Sequence, residues 1–109
     1  MFDIKSFKKM KPTAYLVNNA RGGLVDEQSL LTALKEGYIA GAGLDVTDPE
    51  PPLADSPLLK LDNVLITGHS SWYSEEAAAE LRWKSVVAIV NFFKGIWPYS
   101  LANPEVKRK

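Results

Sequence analysis

Arg21, Asp45 and His69 each come at or just past the end of a different apolar run in this 109-residue sequence, and Glu50 follows Asp45 closely. An arginine presents a planar fork of N–H donors that matches a carboxylate. A histidine gives or takes a proton near neutral pH, and an acid beside it favours the protonated form. Together these side chains could hold an anionic substrate and move a proton on it.

Each of these residues also has a purely structural explanation. A loop arginine usually pairs with a surface acid, and a lone histidine is more often structural than catalytic. Asp45 could merely cap its loop, and Glu50 lies among prolines in a stretch where acids are usually solvated. Because such explanations would be needed at three successive strand ends, we favour the functional interpretation.

The strands that would position these side chains are predicted from three apolar runs, at 14–17, 39–46 and 64–67. Their apolar character is nearly continuous rather than alternating, which is typical of parallel strands covered on both faces. A helix is predicted at 27–36, with Asp26 as its N-cap and Gly37 at its end. Strand, helix and strand at this spacing form a right-handed βαβ unit. Since parallel strands bring their carboxyl ends to one edge of the sheet, we expect the site at that edge.

Two more helices complete the predicted architecture. Asp3 can cap a short helix in which Ile4 and Phe7 recur at helical spacing. Ser74 can cap a long helix that runs to about residue 94, and its apolar residues cover more than one face, so we expect it to pack against two bodies. The fold class is therefore α/β: a partial Rossmann-like, doubly wound parallel sheet of about three strands, with flanking helices and a long carboxyl-terminal helix.

Composition narrows the possible partners. The 13 basic and 13 acidic residues balance, and the basic cluster at 107–109 is too short for a nucleic-acid surface. There is no cysteine to form a disulfide, a thiolate nucleophile or a cysteine-based metal site. The amino terminus lacks a signal-peptide pattern, and no apolar stretch approaches the roughly 18 residues that span a bilayer. We predict a cytoplasmic protein with a small-molecule partner, and with neither nucleic acid, membrane nor metal.

Three stretches together resemble one known signature. The segment 19–27 (Asn-Ala-Arg-Gly-Gly-Leu-Val-Asp-Glu), the segment 43–46 (Gly-Leu-Asp-Val) followed by Glu50, and then His69 are similar to the Arg–Glu–His signature of the D-isomer-specific 2-hydroxyacid dehydrogenases. The match is ordered and correctly spaced. Within this family, the segments 69–75 and 95–98 most resemble the branch that contains the C-terminal-binding-protein corepressors and their phosphoglycerate-dehydrogenase-like bacterial relatives.

The resemblance implies a role for each residue of the site. Arg21 would bind the substrate carboxylate, His69 would be the acid/base for the 2-hydroxyl group, and Glu50 would pair with His69. Trp72 joins Arg21 and His69 in the predicted substrate-binding set. The contacts with the nicotinamide end of NAD or NADP would come from Asn19, Ala20, Arg21 and Asp45.

One element of the family pattern is absent from this sequence. No Gly-x-Gly-x-x-Gly turn opens a helix, so the phosphate cradle of a dinucleotide-binding domain is missing. The resemblance therefore covers the carboxyl-terminal half of an NAD-binding Rossmann domain at 1–97, followed by an irregular tail at 98–109. We expect a fragment that binds NAD weakly or not at all and is inactive alone. In addition, Gly68 stands where the family commonly has proline.

Two other classes of function stay open. The chain could be an interaction module of the corepressor type, or a truncated scaffold that associates with itself. Because the first strand would have an open, apolar edge and the final helix would keep apolar residues for a missing surface, we predict a homo-oligomer formed through that edge or that helix.

Overall fold

Three short parallel strands make up the sheet in the computed structural model of the chain, which describes residues 1–98 and 100–108. The strands are β1 (Tyr15–Asn18), β2 (Gly41–Leu44) and β3 (Val64–Ile66), in the order β1-β2-β3. Leu16 lies opposite Ala42, which in turn lies opposite Val64. The predicted α/β class with a partial Rossmann-like sheet is confirmed.

The helices begin at the N-caps that the sequence predicts. They are α1 (Ile4–Phe7), α2 (Glu27–Lys35) and α3 (Glu75–Phe93). The side chains of Asp3, Asp26 and Ser74 accept hydrogen bonds from backbone N–H groups three residues further on, which satisfies a donor left open at each helix start. Gly37 and Gly95 follow the ends of α2 and α3 with φ of 70° and 76°, a conformation that glycine adopts without steric cost.

Short 3₁₀ helices lie between the other elements at Gly22–Leu24 and Pro57–Lys60, and after α3 at Pro104–Arg108. The second begins with Pro57, whose fixed φ suits a helix start, and the Ser56 side chain before it makes no capping hydrogen bond. The third lies within the tail that was expected to be irregular. The side chains of the predicted basic cluster at 107–109 lie outside the described residues.

One face of the sheet forms the hydrophobic core. Leu16 of β1 and Leu44 of β2 are buried there against Leu30 of α2 and Phe7 of α1. Leu58, from the turn that precedes β3, is buried in the same cluster. The core therefore fixes the three strands relative to α1 and α2, and with them the positions of the loops that follow each strand.

The other face of the sheet differs from the prediction. Tyr15, Val17 and Leu65 are 71%, 73% and 69% exposed, so within the described residues the expected cover on both faces is wrong. Side chains alternate between the two faces along a strand, and an apolar residue type does not by itself supply an element to cover it. This face is an apolar surface in the described structure.

The chain divides into two compact units, residues 1–71 and 72–109. The first holds the sheet, α1 and α2, and the second holds α3. None of the 19 residues of α3 is buried, and its exposed apolar side chains are Leu81, Trp83, Val86, Ile89, Val90, Phe92 and Phe93. Packing of α3 against two bodies and the domain boundary at residue 97 stay predictions. Among the described residues, no helix has the length and apolar character needed to cross a membrane.

Candidate active site

The loops that follow the three strands are joined to one another by main-chain hydrogen bonds. The N–H of Asp45, just past β2, donates to the carbonyl of Asn18 at the end of β1, with an N···O distance of 2.9 Å. The N–H of His69, past β3, donates to the carbonyl of Asp45, also at 2.9 Å. The carboxyl ends of the strands thus meet at one edge of the sheet, as the sequence predicts.

His69 and Glu50 form a hydrogen-bonded pair at this edge. The distance from Nδ1 of His69 to Oε1 of Glu50 is 2.5 Å, and the two side chains are 40% and 41% exposed. An ionised carboxylate only accepts hydrogen bonds, so Nδ1 is the donor wherever Glu50 is ionised. The two residues help to line a pocket of about 270 Å³, together with Asp45, Thr47, Pro51, Pro52, Thr67 and Gly68. The geometry gives a half-exposed imidazole with a fixed orientation.

Asp45 is buried at the centre of this edge, where it is 6% exposed. Its Oδ1 accepts from Oγ1 of Thr67 at 2.5 Å and from the N–H of Ser70 at 2.9 Å. Its Oδ2 accepts from the N–H of Ser71 at 3.0 Å and from Oγ of Ser71 at 2.7 Å. The hydrogen bonds from Thr67 and then from Ser71 and Ser70 hold the pKa of the Asp45 carboxyl well below its ordinary value of 3.8.

Arg21 lies on an exposed turn after β1. Its Nη1 donates to the carbonyl of Ala20 at 2.6 Å, and within the described residues it forms no ion pair with Glu50. The turn itself is held by the buried side chain of Asn18, which donates to the carbonyl of Arg21 at 2.9 Å and accepts from the N–H of Ala20 at 3.2 Å. The structure therefore places Arg21 at the predicted edge with its guanidinium turned back on its own main chain.

Gly22 lets this turn lie against the chain that leaves β2. A Cβ atom added at Gly22 would lie 2.0 Å from the carbonyl oxygen of Thr47, far inside contact distance. Only a residue without a side chain fits such a contact. Gly22 therefore brings two loops of the chain together.

The remaining residues of the predicted site, Asn19, Ala20 and Trp72, are exposed. Asn19 and Ala20 are exposed on the turn that Asn18 holds. Trp72 begins the second unit, is 55% exposed and stacks edge-on against Tyr73, with 5.5 Å between ring centroids. The roles assigned to these three residues stay predictions.

Four residues that support the site were not singled out from the sequence, namely Asn18, Thr67, Ser70 and Ser71. Each has a signal that could have been used. Asparagine at a strand end often closes a turn through its own side chain. Hydroxyl residues close to a strand end readily donate to a nearby carboxylate. The sequence does not show that Thr67, Ser70 and Ser71, which follow β3, share Asp45 as their hydrogen-bond acceptor.

The histidine–carboxylate pair lies at the carboxyl edge of a parallel sheet, which is where open α/β sheets bind ligands. The model of the family described as "D-isomer specific 2-hydroxyacid dehydrogenase, NAD binding domain" matches residues 1–71. The chain belongs to this family.

Curated relatives of the chain include glyoxylate reductases. The one from Korarchaeum cryptofilum is 43% identical over 106 residues, which are 97% of this chain and 32% of the relative. The one from Pyrococcus furiosus is 47% identical over 109 residues, 97% of this chain and 31% of the relative. The chain thus spans about a third of the length of these relatives.

Solved structures with the same fold carry nicotinamide cofactors. A D-isomer specific 2-hydroxyacid dehydrogenase from Xanthobacter autotrophicus, in complex with NADPH and MES, superposes with a TM-score of 0.80 at 34% identity, over 95% of this chain and 42% of that one. The NAD-complexed enzyme from Lactobacillus delbrueckii gives 0.78 at 36% identity, over 94% and 35%. The family resemblance is confirmed, while the narrower corepressor-like branch stays a prediction.

Proposed function

We propose that this chain carries the acid–base part of an NAD(P)-dependent oxidoreductase that interconverts a D-2-hydroxy acid and a 2-keto acid. The observation that carries the proposal is the hydrogen bond between His69 and Glu50 at the carboxyl edge of the sheet. The glyoxylate reductase relatives support a small 2-keto acid as the substrate. We place this activity in the cytoplasm, as the sequence predicts, and cell fractionation would test that placement.

His69 is the proton carrier in this proposal. Since Nδ1 is bonded to Glu50, we assign proton transfer to Nε2, the other ring nitrogen. In the reductive direction Nε2–H gives its proton to the oxygen on C2 of the keto acid, and in the oxidative direction Nε2 takes it back. Glu50 holds the ring so that the same nitrogen faces the substrate in both directions.

Arg21 is the proposed anchor for the substrate carboxylate. Its hydrogen bond to Ala20 uses one of the five N–H donors of the guanidinium. A pair of parallel donors on the fork can grip a carboxylate with defined geometry. The predicted contact of Trp72 with the substrate belongs to this proposal as well.

The nicotinamide cofactor, when bound, supplies or accepts the hydride. The turn at Asn19 and Ala20 lies at the carboxyl edge of the sheet, where α/β domains bind such ligands, and Asn18 fixes its main chain. The glycine-rich turn and helix start that would seat the pyrophosphate do not occur in this sequence. We therefore propose that the chain by itself binds NAD or NADP weakly or not at all.

A chimeric enzyme tests the proposal directly. The segment of the Pyrococcus furiosus glyoxylate reductase that this chain matches would be replaced by residues 1–109, and NADH- and NADPH-dependent reduction of glyoxylate and other 2-keto acids would be followed. We expect measurable turnover. Arg21→Lys should lower kcat/KM, with a loss of about 2–5 kcal/mol of transition-state stabilisation, because lysine cannot grip a carboxylate at two points.

A chimera that folds and binds NADPH but reduces no 2-keto acid would contradict the proposal. Near-normal kcat/KM for Arg21→Lys would remove Arg21 from the role of anchor while leaving His69 in place.

A second candidate function is protein interaction, with self-association as its simplest form. β1 is an edge strand with exposed Tyr15 and Val17, and α3 presents apolar side chains along its length. The second unit also contains a largely apolar cavity of about 360 Å³ lined in part by Trp83, Val87 and Trp97. Exposed apolar surface of this kind is rare on monomers.

Light scattering tests the self-association of the chain. We expect an oligomer that Val17→Lys dissociates if the strand edge forms the contact, and that Phe93→Glu dissociates if α3 does. A monomer at all accessible concentrations would exclude both routes.

A further inference from the structure

Three consecutive backbone N–H groups donate to a single residue at the carboxyl edge of the sheet. The N–H of His69 donates to the Asp45 carbonyl, and those of Ser70 and Ser71 donate to the two carboxylate oxygens of Asp45. Successive N–H groups that point into one concavity form a nest that binds anions. Here the N–H groups of Ser70 and Ser71 bind an anion that belongs to the chain itself, the Asp45 carboxylate.

His69 has an unusual main-chain conformation inside this arrangement. Its φ is 54°, and among the described residues other than glycine it is the one with positive φ. A residue with a Cβ rarely adopts this left-handed region unless its surroundings impose it. The hydrogen bonds on the N–H of His69 and on the two residues after it are the contacts that impose it.

We infer that Asp45 is a positioning residue, which fixes the left-handed main chain of His69 and so aims its imidazole at Glu50. Asp45 acts through the backbone of residues 69–71 and the side chains of Thr67 and Ser71. The role of the ring in proton transfer rests on the function proposed above. The positioning itself does not depend on that function.

The donors explain why a carboxylate is needed at position 45. An ionised carboxylate offers about four acceptor sites and no donor, and four hydrogen bonds reach it here. An asparagine has the same shape but only one oxygen. Hydroxyl groups can rotate to accept instead of donate, whereas the N–H groups of Ser70 and Ser71 cannot, so one of them would face the amide NH₂ of an asparagine.

The four hydrogen bonds also bear on the cofactor contact that the family resemblance implies for Asp45. With each carboxylate oxygen already accepting two hydrogen bonds, an additional donor from a nicotinamide would have to share an occupied site. The Asp45 side chain is therefore bound to the His69 loop in the chain alone, and its contact with the nicotinamide stays a prediction.

Nuclear magnetic resonance on the isotope-labelled chain tests this positioning role, because the sequence contains one histidine and its ring signals need no separation from others. Asp45→Asn is the test variant. Asp26→Asn is the matched control, since it removes the same charge from a residue that also accepts from a backbone N–H and a serine hydroxyl in the first unit. Amide hydrogen exchange and the His69 Nδ1 signal are measured in all three proteins.

In Asp45→Asn we expect exchange at Ser70 or Ser71 to accelerate about 10- to 100-fold, as for loss of a hydrogen bond to a charged group. The Nδ1 signal of the bond to Glu50 should weaken in the same variant, and Asp26→Asn should leave both readouts unchanged. An unchanged Nδ1 signal in a folded Asp45→Asn protein would overturn the inference.

A second variant covers the case in which Asp45→Asn does not fold. Thr67→Val combined with Ser71→Ala removes the two hydroxyl donors and keeps every backbone N–H. Faster exchange at the backbone N–H groups of positions 70 and 71 with a weaker Nδ1 signal supports the inference, and no change in either overturns it. Because none of these readouts needs turnover, an inactive chimera would count against the proposed function alone.

Discussion

The turn that carries Arg21 and the loop that carries His69 flank the end of β2 and are built in different ways. The Arg21 turn, which the Asn18 side chain closes, packs main chain on main chain against the next loop, with Gly22 against the carbonyl of Thr47. The His69 loop is held by a buried carboxylate, that of Asp45. One loop therefore depends on the absence of a side chain, and the other depends on the presence of a charge.

The two loops should therefore be sensitive to different kinds of substitution. A single added methyl group should disrupt the Arg21 turn, because the peptide group between Thr47 and Asp48 already occupies the space. The His69 loop has room for a methyl group, since nothing lies within 4 Å of a Cβ added at Gly68. It should instead respond to changes in charge and in hydrogen-bond acceptors.

The largest effect that we expect is on catalysis through the His69 loop. In the chimeric enzyme, His69→Ala should lower kcat by about 10²–10⁴-fold, the usual loss when a positioned acid/base is removed. Steady-state kinetics with glyoxylate would measure it, and circular dichroism would show that the fold is retained. A loss of less than about tenfold would separate His69 from the proton-transfer step.

The next effect is on stability through the Arg21 turn. Gly22→Ala should lower the free energy of unfolding of the chain by about 3 kcal/mol, because the new Cβ forces apart the main chain of residues 22 and 47. Urea unfolding measures this change, and Gly68→Ala is the matched control. The control should be neutral or stabilising by up to about 1 kcal/mol through reduced freedom of the unfolded chain. Equal effects of the two substitutions would erase the contrast between the loops.

The subtlest effect is a dependence on pH through Asp45. The folded pKa of Asp45 lies below its ordinary value of 3.8, so in acid the unfolded chain binds more protons at this group than the folded chain. The stabilisation by Asp45 is therefore complete above the ordinary value and is lost as the pH falls through the folded pKa. Asp45→Asn should be less stable than the parent chain at neutral pH, and urea unfolding should show the gap narrowing steadily below about pH 4. A difference in stability between the parent chain and Asp45→Asn that does not change with pH would contradict the hydrogen-bonded carboxylate of Asp45.

Local signals in the sequence predict much of the fold. Asp3, Asp26 and Ser74 start helices as expected, because an N-cap needs only a few neighbouring residues to act. The apolar runs indicate all three strands, but β2 (Gly41–Leu44) and β3 (Val64–Ile66) are shorter than their runs, since a ladder extends only as far as its neighbours pair. β1 keeps its predicted length and is shifted by one residue, to Tyr15–Asn18. The exposure of Tyr15 and Val17 was not predicted, because burial depends on an element elsewhere in space.

The sequence predicts which residues form the candidate site better than it predicts how those residues are held in position. Three strand ends in a parallel sheet bring Glu50 and His69 to one edge, and the structure pairs them. The left-handed conformation of His69 was not predictable, because nothing in the residue types at 67–71 shows that their donors converge on Asp45. Such convergence is a property of the assembled sheet edge, where β2 and β3 place distant residues side by side.

The central claim is that Glu50 holds His69 by Nδ1, which leaves proton transfer to Nε2. Nitrogen chemical shifts of the His69 ring, recorded where the imidazole is neutral, test it most directly in the parent chain, in Glu50→Gln and in Glu27→Gln as the matched control. We predict a hydrogen on Nδ1 in the parent chain and in the control, and a shift of that hydrogen towards Nε2 in Glu50→Gln. A parent chain with its hydrogen on Nε2, unchanged by Glu50→Gln, would contradict the account.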